Sequence, residues 1–286
     1  MNNFNESAKI KVFGVGGAGC NAIDRMVEDG VGGVEFYIAN TDSQVLKKST
    51  VANKIFLGKE TTQGLGAGGN PEVGKMSAIE SESEIREAIK DADMVFITAG
   101  LGGGTGTGAA PVFAKLAKEA GCLTVGVVTK PFDFEGRKRI KFAQDGLNEL
   151  KPFVDSLIVV SNNKLLEVIG NIPIGDSFKE ADNVLRQGVQ TISDLIAVPT
   201  VINLDFADVC TVMRNQGYAI FGIGMEQGEN KAEKAALSAI QSPLLETQIT
   251  GAKQAIINVT GGPNTTLNDA QEAVRAIEDA VGNELS

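Results

Sequence analysis

The sequence predicts an α/β fold: a parallel, Rossmann-like sheet with helices on both faces, a long connecting helix, and a smaller second α/β domain. Three observations carry that prediction. Short apolar runs alternate with helical patterns from Lys9 to Ser161. Three glycine-rich loops lie along the same stretch, two of them directly behind apolar runs. A long amphipathic segment, Asp176 to Ala197, then precedes a change of pattern after Pro199.

The apolar runs are Ile10–Phe13, Val34–Ala39, Ile55–Leu57, Met94–Thr98, Leu123–Val128 and Leu157–Val160. Continuous rather than alternating apolarity marks strands buried on both faces, as in a parallel sheet. Right-handed crossovers then bring every strand-to-helix loop to one edge, where ligands bind. In the long segment Phe178, Ala181, Leu185, Val189, Ile192 and Leu195 recur at helical spacing, with Asp176 as the expected N-cap. Beyond Pro199, strand-like Val201-Ile202, Tyr218–Ile223 and Ala255–Val259 alternate with helices near Asp205–Arg214, Asn230–Ile240 and Asn268–Ala280. The expected organisation is a first domain over 1–175, a connecting helix over 176–198 and a second domain over 199–286.

Composition excludes several functions. Net charge is -10, from 26 basic and 36 acidic residues, and no Lys/Arg cluster interrupts it, so nucleic acid is not the expected partner. Without a single histidine, a His-based triad is impossible and a zinc site improbable. Apolar residues make up 43%, enough for sizeable cores and too many for a disordered chain. Cys20, Cys122 and Cys210 lie far apart, which reads as reduced, cytoplasmic thiols. Met1 to Ser7 is polar, unlike a signal peptide, and no stretch is apolar enough to span a bilayer.

The most informative segment is Gly102-Gly103-Gly104-Thr105-Gly106-Thr107-Gly108, between the run ending at Thr98 and a helical pattern from Ala109. Its five glycines let backbone N–H groups converge closely on a ligand, and the following helix aims its positive end at the same place. Gly14-Val15-Gly16-Gly17-Ala18-Gly19 fits the dinucleotide fingerprint, with Asp42 at about the expected distance. Alone, that motif equally supports a nicotinamide-dependent dehydrogenase. A third loop runs over Gly64–Pro71, and three such loops at one edge suit a ligand with three phosphates. Gly69 to Lys75 begins like a P-loop, but Met76 stands where the metal-binding Ser/Thr belongs.

Together these motifs resemble the FtsZ branch of the tubulin superfamily, the bacterial cell-division GTPases. The resemblance continues through Asn40-Thr41-Asp42, Pro131-Phe132, Phe134–Arg139, Phe178–Asp182, Asn203–Asp208 and Gly228–Asn230, covering Lys9 to Ala273. Cys20 and Lys130 depart from the residues most frequent in the family, asparagine and arginine. Relatives continue with two more strands, a flexible tail and a partner-binding peptide, so a second domain lacking its last strands and tail is expected.

The resemblance implies GTP or GDP as ligand. It assigns the phosphate loops to Gly16, Gly17 and Ala18, to Gly66, Ala67, Gly68 and Gly69, and to Gly102, Gly103, Gly104, Thr105, Gly106 and Thr107. Asn40, Asp42 and Pro131 are further contacts, with Glu135 and Arg139 at ribose and phosphates. Spacing alone makes Glu135 and Arg139 equally an exposed helical ion pair. Guanine's adjacent ring N–H and exocyclic amine suit one carboxylate, and the resemblance gives that role to Asp182, beside Phe178, Asn21 and Asn162. Without it Phe178 reads equally well as core.

No catalytic base lies in the glycine-loop half. The resemblance assigns catalysis to Asn203, Asp205 and Asp208, on a loop that enters the nucleotide pocket of the next subunit. Helix capping explains the two aspartates equally well on spacing. Mg2+ is expected through phosphate oxygens and water, without protein metal ligands. The partners implied are further copies of the chain, head to tail, with tether and division proteins acting through a tail. Nothing reads as a membrane anchor, and the implied location is the mid-cell cytoplasm. A nucleotide-binding regulator of filaments and a plasmid-partitioning relative are the other readings.

Overall fold

The computed structural model describes residues 8–170, 172–197, 205–241, 249 and 252–282. The first expected strand forms as β1 (Ile10–Val15), buried at all six positions and followed at once by α1 (Gly16–Glu28). Next come β2 (Val34–Asn40), α2 (Ser43–Lys48), β3 (Asn53–Phe56), α3 (Lys59–Thr62), α4 (Pro71–Glu80) and α5 (Glu82–Ile89). They are followed by β4 (Met94–Gly100), α6 (Thr105–Glu119), β5 (Leu123–Lys130), α7 (Arg137–Leu150), β6 (Ser156–Ser161) and α8 (Asn162–Ile169). After these stand α9 (Ile174–Ala197), α10 (Phe206–Met213), β7 (Gly217–Ala219), α11 (Lys231–Ile240) and α12 (Leu267–Val281).

Among the described residues, seven strands form one parallel sheet in the order β3-β2-β1-β4-β5-β6-β7. In register, β1 lies between β2 and β4, Ile10 facing both Val34 and Met94. The order reverses direction between β1 and β4, and a crevice opens at such a point beyond the carboxyl ends of the strands. Helices cover both faces. Phe13, Val15, Val95, Ile97 and Ala99 bury one face against Phe113 and Ala110 of α6 and Leu147 of α7. On the other face, α1 packs on β1, β2 and β4, and α9 packs on α1 and β5.

Two local features explain how these layers close. Lys11, buried within β1, sends its Nζ to the carbonyls of Ala88 (2.9 Å) and Lys90 (2.8 Å), satisfying acceptors left over at the end of α5. Where α4 crosses α6, a Cβ on Gly108 would lie 1.9 Å from the Pro71 carbonyl oxygen, so only glycine permits the approach.

Several elements differ from expectation. Helix α9 starts at Ile174, because the Pro173 carbonyl already accepts from Asp176 and Ser177 N–H. Asp176 therefore sits in the first turn, paired with Lys179 at 2.8 Å, and is not the N-cap. Of the strand expected over Tyr218–Ile223, only Tyr218 and Ala219 are in strand, and they belong to the first sheet as β7. Asp155 causes this: its carbonyl accepts from Gln216 (2.8 Å) and Gly217 (2.9 Å) N–H and draws the segment onto β6. Ala255–Val259 forms no strand, and Val201-Ile202 lies outside the described residues.

The chain divides into compact units of Met1–Ala219 and Ile220–Ser286. The second unit was expected from residue 199 and begins later because α10 and β7 go with the first. Among its described residues, α11 and α12 pack through Ala232, Ala236, Ala273, Ile277 and Val281. No helix among the described residues is long and apolar enough to cross a membrane.

Candidate functional site

The crevice beyond β1 and β4 gathers the three glycine loops. Gly16 has φ +76°, and a Cβ there would lie 2.6 Å from the Gly106 N, so the first and third loops touch. A Cβ on Gly104 would meet the Ala67 Cβ at 2.8 Å and the Asn70 N at 2.9 Å, locking the second loop onto the third. At Gly17, Gly68, Gly69 and Gly103 a Cβ would meet nothing within 4 Å, which leaves backbone open to a ligand. Ala18 is half-buried at the start of α1 and Gly66 is half-buried in its loop.

The helix termini say what that ligand is. Asp42 caps α2 by accepting from Gln44 N–H (2.8 Å), and Asn70 caps α4 by accepting from Glu72 N–H (3.1 Å). Helices α1 and α6 have no side-chain cap, so two sets of unpaired N–H groups and two positive dipole ends meet in one crevice. An anion satisfies both.

The predicted threonines brace the loop. Thr107 Oγ1 accepts from the Gly102 N–H at 2.8 Å, and Thr105 Oγ1 shares a hydrogen bond with Thr41 Oγ1 at 2.7 Å. Asn40 is buried; its Oδ1 accepts from Asp42 N–H (3.1 Å) and its Nδ2 lies 3.7 Å from Cys20 Sγ. Burial pushes the Cys20 thiol up to about 12, so it stays protonated. Asn40 thus fixes Asp42, which bridges to Leu65 in the second glycine loop.

After β5 three aromatic rings cluster. Phe132 is fully buried, stacked on Phe134 at 5.1 Å and edge-on to Phe178 at 5.2 Å. Phe178 is 41% exposed and Phe134 58% exposed, so Phe178 is not a core residue but half of an open aromatic corner. Asp182 follows one turn later on α9 and is nearly buried, with Arg25 Nε 3.4 Å from its Oδ2. Burial pushes the Asp182 carboxyl up to about 6, against the pull of the Arg25 guanidinium. Asn162 opens α8 and is buried, yet its Oδ1 has no hydrogen-bond partner among the described residues. An orphaned acceptor at that position fits a ligand donor. Asn21 is exposed on α1, four residues before Arg25. Pro131 is buried next to this corner, and Glu135 pairs with Arg139 while its Oε1 accepts from Phe132 N–H at 2.9 Å. The Glu135–Arg139 pair therefore also fixes the loop that carries the rings.

A crevice with two uncapped helix starts, an aromatic corner and a carboxylate suits a purine nucleoside polyphosphate. The family description "Tubulin/FtsZ family, GTPase domain" matches residues 9–170, and "FtsZ family, C-terminal domain" matches residues 217–286. An FtsZ from M. jannaschii, described as an empty dimer, is 48% identical over 96% of this chain and 80% of its own, with a TM-score of 0.92. The chain belongs to the tubulin/FtsZ family. Residues 9–170 are the GTPase domain of that family, and guanine nucleotide is its substrate. CetZ2 from Haloferax volcanii, described as a GTPγS-bound protofilament, shares 22% identity over 97% of this chain and 86% of its own, TM-score 0.79. CetZ1 from the same organism, described as a GDP-bound monomer, shares 22% over 97% and 87%, TM-score 0.82. At that identity the CetZ likeness shows the fold alone.

The catalytic candidates lie elsewhere. Asp205 and Asp208 cap α10 reciprocally: Asp208 N–H donates to Asp205 Oδ1 at 2.8 Å, and Asp205 N–H to Asp208 Oδ2 at 3.3 Å. Both are exposed, and Asn203 lies outside the described residues. The far end of α10 is fixed to the opening of β6, where Ser156 Oγ donates to the Met213 carbonyl at 2.7 Å. The Asp155 carboxylate there accepts from Asn215 (3.2 Å) and Thr124 (2.9 Å) N–H.

Sequence reasoning passed over Arg25, Thr41 and Phe134 as site residues. Thr41 lies within Asn40-Thr41-Asp42, and Phe134 opens Phe134–Arg139. Arg25 had one usable signal: a buried carboxylate at 182 needs a cation, and helix α1 carries few.

Proposed function

We propose that this chain is a self-assembling GTPase whose hydrolytic site is completed between subunits. GTP binds in the crevice; chains add head to tail; Asp205 and Asp208, with Asn203, reach the γ-phosphate of the adjacent subunit and orient the attacking water. The observation that carries this is the placement of α10. Its C-terminal end is bonded to the first residues of β6, whereas the glycine loops follow the last residues of β1 and β4. In a parallel sheet those are opposite edges, and six residues of strand separate them by roughly 20 Å. A general base must come within hydrogen-bond reach of its water, so the crevice and the acids of one chain favour a neighbour's contribution.

A contact joining one edge of each subunit to the opposite edge of the next is heterologous, and where it does not close it builds a filament. Hydrolysis then removes the γ-phosphate that both subunits hold and weakens the joint. Among the described residues no group of three or more His, Cys, Asp or Glu is gathered to hold a metal. Mg2+ would rest on phosphate oxygens and water in the crevice, supplying charge neutralisation during phosphoryl transfer. The FtsZ resemblance supports a cytoplasmic filament of the mid-cell division ring. The 48%-identical FtsZ is archaeal, so the reading is not confined to bacteria.

Phosphate release measured over a dilution series, at saturating GTP and Mg2+, tests the proposal. Activity per subunit is expected to rise steeply above a threshold concentration. Activity independent of concentration refutes it.

A further inference from the structure

Asp182 stands one turn beyond Phe178 on α9, and its environment works against its charge. The side chain is 10% exposed on α9, beneath α1. Guanine recognition needs that group ionised. A carboxylate offers acceptor lone pairs on both oxygens to the two adjacent donors of the base, whereas a protonated carboxyl turns one oxygen into a donor.

Helix α1 supplies the counterweight. Arg25 Nε lies 3.4 Å from Asp182 Oδ2, and one turn along both helices Arg186 Nε lies 3.2 Å from Asp29 Oδ2. Arg25 lies in the last turn of α1 and Asp29 is its C-cap, while residues 182 and 186 are four apart on α9, so the seam is cross-bridged in opposite senses. Arg186 also donates to Asn183 Oδ1 and to Gln190 Oε1. This second bridge fixes the spacing and rotation of the two helices, and with them the approach of Arg25 to Asp182. Lys179 pairs with Asp176 at 2.8 Å, and Asp24 accepts from Ser49 Oγ at 2.5 Å. Among the described residues Arg25 is the cation at ion-pair distance from Asp182.

We propose that Arg25 is the positioning residue of base recognition: its guanidinium holds the Asp182 carboxylate ionised and turned to receive the paired donors of guanine. The inference rests on the reading that Asp182 contacts the guanine edge. Burial pushes this carboxyl up to about 6 even with Arg25 in place. Removing Arg25 leaves burial unopposed, and protonation then extends into the neutral range. Arg25 thereby makes purine selectivity hold at neutral pH.

The test compares affinity for GTP with that for ITP, which lacks the exocyclic amine, between about pH 5 and about pH 8.5. The ratio cancels the titration of the phosphates and the active fraction of each preparation. The parent should prefer GTP by about tenfold or more above pH 7 and lose that preference as the pH falls through about 6. In Arg25→Gln the same loss should occur at a pH higher by about half a unit or more, with the preference regained at the alkaline end. Arg25→Lys should follow the parent. Asp182→Asn controls the premise and should show no pH-dependent preference.

An Asp182→Asn protein that keeps the parental preference removes the base-reading premise and the inference with it. If Asp182→Asn loses preference but Arg25→Gln tracks the parent, the premise stands and the role of Arg25 is refuted. A loss in Arg25→Gln that is uniform with pH also refutes it, because it reports helix packing alone.

Discussion

Asp182→Asn should make the nucleotide-free protein more stable at neutral pH while weakening its grip on GTP. The carboxyl is held at about 6 in the fold against an ordinary 3.8, a displacement caused first by burial and only partly offset by Arg25. Each unit is worth about 1.4 kcal/mol, so ionising Asp182 inside the fold costs about 3 kcal/mol at pH 7. The sign follows from proton counts. Between pH 4 and 6 the folded chain holds the proton more tightly than the unfolded chain, so parental stability falls as pH rises through that window. Asparagine mimics the protonated carboxyl and still offers Arg25 an acceptor, so the variant avoids the loss. Its advantage should be near zero at about pH 4 and reach about 3 kcal/mol by pH 7. For a unit of this size that is roughly 6–12 °C in Tm. Thermal unfolding followed by far-UV circular dichroism at several pH values measures it, with nucleotide removed because bound ligand adds its own stabilisation. A variant no more stable than the parent at pH 7, or one whose gain is flat with pH, refutes the reasoning.

Asp208→Ala should leave GTP affinity within about twofold and lower phosphate release by tenfold or more, while losing about 1 kcal/mol of helix capping; filter binding beside a phosphate assay separates the two effects. Gly104→Ala places a methyl 2.8 Å from the Ala67 Cβ and 2.9 Å from the Asn70 N, so it should spread the second and third loops and weaken GTP binding by about tenfold, read by calorimetry. Asp155→Ala unpairs the N–H groups of Thr124 and Asn215, and should cost about 1–3 kcal/mol in denaturant unfolding. Its hydrolysis should fall more than its nucleotide affinity, because Asp155 holds the foot of α10 and lies at the edge away from the loops.

The first sheet was legible because buried parallel strands are written as continuous apolar runs. Every run from Ile10 to Val160 appears as a strand, with ends shifted by up to two residues; Leu57 alone falls outside its strand, β3. The glycine loops were legible for a related reason: close approach of backbone to backbone demands glycine, as at Gly16 and Gly104. What misled was the stretch after residue 199. Tyr218–Ile223 is apolar enough for a strand, but which sheet it joins depends on hydrogen bonds from Asp155, a residue about 60 positions away. Ala255–Val259 has strand composition without a paired neighbour among the described residues, and composition does not reveal pairing. At the site, residue types were readable and partners were not. The need of Asp182 for a cation was inferable, whereas its identity as Arg25 required the packing of α1 on α9.

On the proposed reading, the reciprocal cap of Asp205 and Asp208 and their role in hydrolysis draw on one geometry. Each carboxylate accepts a backbone N–H from the other's residue, so both side chains are already held in one arrangement before any neighbour arrives. Holding them costs no further conformational entropy when chains meet, which is the advantage of preorganised groups in any interface. The same bonds occupy only one oxygen of each carboxylate, leaving the second to accept from a water. Capping alone would be served as well by serine or threonine at residue 205. Asp205→Ser therefore separates the two roles: it should keep the stability of α10 within about 0.5 kcal/mol, yet lower assembly-dependent hydrolysis by tenfold or more. Parental hydrolysis in that variant would reduce the residue to a cap.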